Sequence, residues 1–187
     1  LHPSSKLSFE QLALVETLAI GCHAVNRGNP QPGETVLVIG AGPIGLSVIE
    51  FVKLAGARCV VLDLNSTRLE FCREKMGVKD TLLARGDGAE LEELKRLTSG
   101  ALAQVVIDAT GNNKSMSNAL NYSGFTGRVV FVGITTQEIS VGQVVHIHEH
   151  DVLRALERGL DRLVGIHEVL HQQARERAKL RNRLTVR

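Results

Sequence analysis

The stretch TVLVIGAGPIGLSVIEFVKL, residues 35–54, decides the fold. Its first five residues, Thr35 to Ile39, are an apolar, β-branched run too short for a helix, of the kind that forms a strand buried on both faces. Gly40-Ala41-Gly42-Pro43-Ile44-Gly45 then reads G-x-G-x-x-G. Gly40 permits a tight turn, Gly42 lets backbone approach a ligand, and Gly45 lets a helix pack close to the strand. Pro43 suits the first turn of that helix, and Ile44, Val48, Ile49 and Val52 follow near helical spacing. Free N–H groups at the helix start, aided by the helix dipole, would meet a phosphate. Pro43 has no donor, so Ile44 N–H carries more of that contact. A bare match of this kind also serves as a plain strand–helix turn with no ligand.

Working outward, the pattern keeps alternating. A strand is expected over 59–64, a helix over 66–76 closed by Gly77, and a short strand over 81–84. A charged helix over 89–98, a strand over 104–110, a helix over 114–122 and a strand over 128–134 complete the series. Residues 9–25 read as a helix leading into it. Strand–helix alternation at this spacing predicts an α/β fold, a doubly wound parallel sheet of the Rossmann type. Asp63 falls at the end of the second strand, 23 residues after Gly40. An acid there can accept both ribose hydroxyls of an adenosine and repels a 2′-phosphate, so the reading favours NAD over NADP. An S-adenosylmethionine-dependent methyltransferase also places glycines after strand one and an acid after strand two, and stays open as the alternative.

Composition narrows the field. The 187 residues are 43% hydrophobic and carry 22 Lys and Arg against 20 Asp and Glu, a balance that excludes a disordered chain. No apolar run approaches the roughly 18 residues of a membrane helix. The first residues lack the basic and apolar regions of a signal peptide. Cys22, Cys59 and Cys72 form no C-x-x-C pair and read as reduced thiols of a cytoplasmic protein. Trp is absent and aromatics are 3%, which argues against a stacking platform for nucleic acid. The first residue is not Met, so the chain is expected to be a fragment.

Four blocks make the sequence resemble the coenzyme-binding half of the zinc-type medium-chain dehydrogenases, near the sorbitol, threonine and sugar-acid dehydrogenases. They are VETLAIGCHA (15–24), PGETVLVIGAGPIGL (32–46), VVIDATG (105–111) and GRVVFVGI (127–134). The resemblance covers residues 8–141. It implies that Gly40, Gly42, Pro43, Ile44 and Gly45 hold the pyrophosphate of NAD, with Asp63 and Arg68 at the adenosine ribose. It implies that Thr110, Gly111, Val132, Gly133 and Ile134 end strands lining the nicotinamide side of the cleft. Glu16 matches an acid that binds or neighbours the catalytic zinc, a Lewis acid on the alcohol oxygen. The family's catalytic Cys, Gly-His-Glu site and four-Cys lobe have no counterpart in this sequence. The resemblance thus implies oxidation of a polyol or sugar acid by a full-length parent that holds zinc. This span alone would then be an inactive dinucleotide-binding module.

A boundary is expected near residues 141–143. Beyond it lie nine of the basic residues, six of the acidic and five of the seven His, with only Gly159 and Gly165. Leu153, Leu156, Leu160, Leu163 and Leu170 recur at helical spacing, so 142–187 is expected to be a divergent helical tail whose apolar stripe allows homo-oligomer formation. His167-Glu168-Val169-Leu170-His171 matches H-E-x-x-H, but 16 residues beyond it leave no third ligand, and a protease is discounted. His146, His148 and His150 alternate and could take adventitious metal.

Overall fold

The computed structural model describes residues 6–140. The boundary near 141–143, the helical tail and its His residues lie outside the described residues. Within them, α1 (Phe9–Ala13) and α2 (Val15–Gly28) precede β1 (Thr35–Ile39), α3 (Pro43–Leu54), β2 (Arg58–Asp63), α4 (Ser66–Glu74) and β3 (Asp80–Leu83). Then come α5 (Ala89–Leu97), β4 (Ala103–Asp108), α6 (Asn113–Ala119), a 3-10 turn (Leu120–Tyr122) and β5 (Ser123–Phe131). The five strands are all parallel, in the order β3-β2-β1-β4-β5. Helices cover both faces, the doubly wound arrangement expected.

Every residue of β1 is buried, because its two neighbours pair with it and helices cover both sides. Val36 and Val38 join α2, α3 and α4 through Ala24, Val48, Val52 and Leu69. Leu37 and Ile39 point the other way, into a cluster with Leu94 of α5 and Ala119 of α6. Each such fully buried aliphatic side chain contributes about 1.5–3 kcal/mol, so β1 is the spine on which the site is mounted.

Three elements depart from expectation. The single helix over 9–25 is two, because Leu14 N–H turns back to Gln11 O and α1 buries no side chain that would hold it in line. Helix α2 then runs to Gly28 and stops where Asn29 adopts a left-handed backbone (φ 44°). The last strand begins at Ser123 rather than 128. Its Gly124, Phe125, Thr126 and Gly127 look like a turn in sequence, but they form an irregular stretch where the β4 register shifts between Ala103 and Val105. That strand also ends at Phe131, three residues early, as Val132 N–H turns to Asp108 O.

Between α5 and the 3-10 turn, the Tyr122 hydroxyl donates a long hydrogen bond (3.4 Å) to Glu90 Oε1. Burial, and then the Glu90 carboxylate, pushes the Tyr122 phenol up to about 12. Burial likewise lifts the Cys59 thiol to about 12, with Cys72 adding to it. Both groups hold their protons more tightly folded than unfolded. The stability they contribute is therefore intact below the ordinary values of 9.0 (Cys) and 10.0 (Tyr) and is lost as pH rises toward 12. Thermal unfolding followed from neutral to alkaline pH is expected to show a midpoint that starts to fall near pH 9. Tyr122→Phe should remove the part of the fall above pH 10.

Candidate functional site

The turn after β1 is built from backbone packed on backbone. Gly40 has φ 96° and donates its N–H to Leu62 O at 2.8 Å, which ties the turn to the end of β2. A Cβ on Gly45 would sit 1.7 Å from Gly40 O, so α3 rests directly on the turn with no room for a side chain. Gly42 is different. Its backbone is extended (φ −80°, ψ −175°), and nothing lies within 4 Å of where its Cβ would be. It is the N-cap of α3, and no side chain caps the helix. The first N–H groups of any helix lack partners within it, so this end of α3 presents donors to an open space.

Asp63 closes β2 beside that space and is only 8% exposed. Its Oδ2 accepts from Ala41 N–H at 2.6 Å and its Oδ1 from Asn65 N–H at 2.7 Å. The carboxylate thus fastens the glycine turn to the start of α4, which Asn65 caps through Thr67 N–H and Arg68 N–H. A carboxylate has about four lone-pair sites, so two acceptor positions remain for a ligand. The Arg68 guanidinium approaches Asp63 Oδ2 at 3.9 Å and is more than half exposed; such a pair is worth at most about 1 kcal/mol. A shallow cleft of about 340 Å³ opens here, lined by Ala41, Gly42, Pro43, Leu46, Thr67, Arg68 and Phe71.

On the other side of β1, the ends of β4 and β5 meet. Gly111 takes φ 64°, and a Cβ on Gly133 would fall 2.2 Å from Gly111 N. A Cβ on Gly40 would come 3.0 Å from the Thr110 methyl, so the glycine turn touches the β4 turn as well. Val132 is half-buried and Ile134 is 91% exposed. The structure therefore brings Gly40, Gly45, Asp63, Thr110, Gly111 and Gly133 to one edge of the sheet, with Gly42, Pro43 and Arg68 around the cleft and Ile44 in the first turn of α3. Glu16 stands exposed in the first turn of α2. Among the described residues no group of three or more His, Cys, Asp and Glu could hold a metal.

Asp108 is the site residue that the sequence reading passed over. It ends β4 with 0% exposure, and its carboxylate accepts from Thr110 N–H (2.8 Å), Thr110 Oγ1 (2.6 Å) and Ser115 Oγ (2.5 Å). The signal was present: an acid inside the run Val105-Val106-Ile107-Asp108 is buried by pattern, and a buried acid needs donors close by.

Residues 43–168 match the family described as zinc-binding dehydrogenase. The chain belongs to that family. The match runs past residue 142, into the segment where the resemblance was expected to end. The chain is 41% identical over 139 residues to L-galactonate-5-dehydrogenase of Escherichia coli K12, covering 73% of the chain and 40% of that protein. It is 36% identical over 138 residues to sorbitol dehydrogenase of Bacillus subtilis, covering 73% and 38%. The zinc dependent alcohol dehydrogenase 2 of Streptococcus pneumonia superimposes with a TM-score of 0.69 at 26% identity, over 75% of this chain and 40% of that one. The chain thus spans about two fifths of the length of these relatives. Family membership does not favour the methyltransferase alternative.

The two helix-start glycines should part company on substitution. Gly45→Ala forces its Cβ into the Gly40 carbonyl and should destabilise by about 2 kcal/mol or more, read as a lowered urea midpoint. Gly42→Ala meets open space in an ordinary extended conformation and should stay within about 0.5 kcal/mol of the parent.

Proposed function

We propose that residues 35–141 are the NAD-binding part of a dehydrogenase that oxidises a secondary alcohol on a polyol or sugar acid. The observation that carries this reading is Asp63: a carboxylate held by the glycine turn, bonded to Ala41 and beside Arg68, both of which line the open cleft, with acceptor positions to spare. The names of the relatives, L-galactonate-5-dehydrogenase and sorbitol dehydrogenase, support the substrate class. When bound, NAD supplies the acceptor for a hydride from the alcohol carbon.

The chain's own residues then bind and orient. Ile44 and Gly45 N–H at the start of α3 face the pyrophosphate, and Gly42 leaves it room to approach the backbone. Asp63 accepts the 2′- and 3′-hydroxyls of the adenosine ribose, with Arg68 beside it. Thr110, Gly111, Val132, Gly133 and Ile134 border the second nucleoside, on the β4–β5 side of the switch point between β1 and β4. A lone Glu16 does not make a three-ligand zinc site, and the described residues do not fit the metal. We therefore assign this span cofactor binding, and assign the zinc and the alcohol to the remainder of a longer protein. The three cysteines are free, which suits a reducing cytoplasm, and no helix among the described residues is long and apolar enough to cross a membrane.

Calorimetric titration tests the reading. NAD is expected to bind at least tenfold more tightly than NADP, because the Asp63 carboxylate repels a 2′-phosphate. Asp63→Ser removes that charge and leaves Arg68, so the gap should narrow to within threefold. Equal or tighter NADP binding by the parent chain would reverse the assignment. Gly42→Ala should abolish NAD binding while the fold is kept.

A further inference from the structure

Asp63 and Asp108 occupy equivalent places, each ending a strand that flanks β1, yet their surroundings differ. Asp63 sits behind Ala41 and Arg68 of the cleft wall with lone pairs to spare, whereas Asp108 is sealed, with every oxygen engaged inward. Its Oδ1 takes both the N–H and the hydroxyl of Thr110, and its Oδ2 takes the hydroxyl of Ser115 in α6. Its own carbonyl accepts Val132 N–H at 2.9 Å and Gly133 N–H at 3.4 Å. One residue therefore holds the β4 turn, the first turns of α6 and the exit of β5. The Thr110 methyl then abuts Gly40, and Gly111 abuts Gly133, at separations that leave no slack.

We propose that Asp108 is a positioning residue for the second nucleoside of the dinucleotide. It fixes the Thr110–Gly111 turn against the Val132–Gly133 exit, and so sets the shape of the sheet edge on the β4–β5 side. This rests on the NAD reading above. The Asp108 carboxylate is sealed beneath its three donors, so it acts through Thr110 and Ser115. Removing the carboxylate frees three donors and lets the turn move away from Gly40. The cleft on the β1–β2 side, held by the Ala41–Asp63 bond, keeps all its bonds.

That asymmetry supplies the test, made on the full chain with two ligands. ADP probes the adenosine and pyrophosphate half alone, whereas NADH needs both halves. Asp108→Ala is expected to weaken NADH at least tenfold and to leave ADP within twofold. Asp108→Asn should restore NADH to within threefold, since its Oδ1 still takes the two Thr110 donors and its Nδ2 donates to Ser115 Oγ. Hydrogen exchange at the Thr110 amide should accelerate in Asp108→Ala but not at Leu37 in β1. If Asp108→Ala does not fold, Ser115→Ala decides, with a loss of at least threefold for NADH and none for ADP. Equal weakening of both ligands, or unchanged NADH in a folded Asp108→Ala or in Ser115→Ala, overturns the proposal. A parent chain that binds neither ADP nor NADH would instead remove the cofactor reading, and this proposal with it.

Discussion

A side chain is missing where α3 meets β1, at Gly45, and the edge of the sheet is arranged around that vacancy. With the Cβ position of Gly45 only 1.7 Å from Gly40 O, the helix axis is set by backbone contact rather than by adjustable side chains. Helix α3 can then seat Val48, Ile49 and Val52 fully in the core, and its N-terminus stays level with the ends of the strands. If α3 were raised by even one methyl group, Gly42 and the free N–H groups behind it would no longer border the cleft between Ala41 and Arg68. The left-handed turn at Gly40 follows from the same demand. A chain leaving a fully buried strand must reverse into the helix within a few residues, and φ 96° is the conformation that does so.

This close packing explains why the centre of the fold was legible. Strand β1 and helix α3 have the bounds the pattern gave, because burial on two faces and a glycine–proline helix start leave the sequence little choice. The second strand and helices α4 and α5 were displaced by only one or two residues, where period-3.6 and period-2 runs meet short turns, whereas the helix expected over 114–122 ends at Ala119 and gives way to the 3-10 turn. Around Ser123 the pattern failed for a physical reason. Gly124 and Gly127 are placed there by close approach to Ala101 O and Ser123 Oγ, and a residue chosen for close approach inside a strand looks the same as one chosen for a turn. The break at Leu14 was illegible because α1 buries nothing, so its apolar residues carry no core-facing period to read.

Site residues divide in the same way. Gly40, Gly42, Gly45 and Asp63 were named from spacing alone, since each answers a steric or electrostatic need that depends on position in the strand–turn–helix unit. Thr110, Gly111, Val132, Gly133 and Ile134 were reached only through resemblance. Their arrangement depends on contacts between two separate strand ends, and local spacing carries no record of such contacts. Glu16 lies on α2, away from the sequence logic of the turn, and one carboxylate gives neither reading nor structure a ligand set to assemble.

The pair of strand-end acids shows how one local motif takes on two duties. Both Asp63 and Asp108 accept the N–H of the residue two positions on, and each is followed by an asparagine that caps the next helix through two backbone donors. After Asp63 a single residue, Leu64, intervenes before Asn65. The turn is too short to carry another donor over the carboxylate, and Oδ2 is left to Ala41 N–H and the more distant Arg68 guanidinium. After Asp108 three residues intervene before Asn112. That length brings the Thr110 hydroxyl back onto Oδ1 and allows Ser115 to reach Oδ2, so the carboxylate is closed off. A charge shielded in this way by three short donor contacts is costly to uncover. It is therefore suited to holding backbone still, whereas the acid behind the shorter turn keeps lone pairs free for hydroxyl groups that arrive from outside.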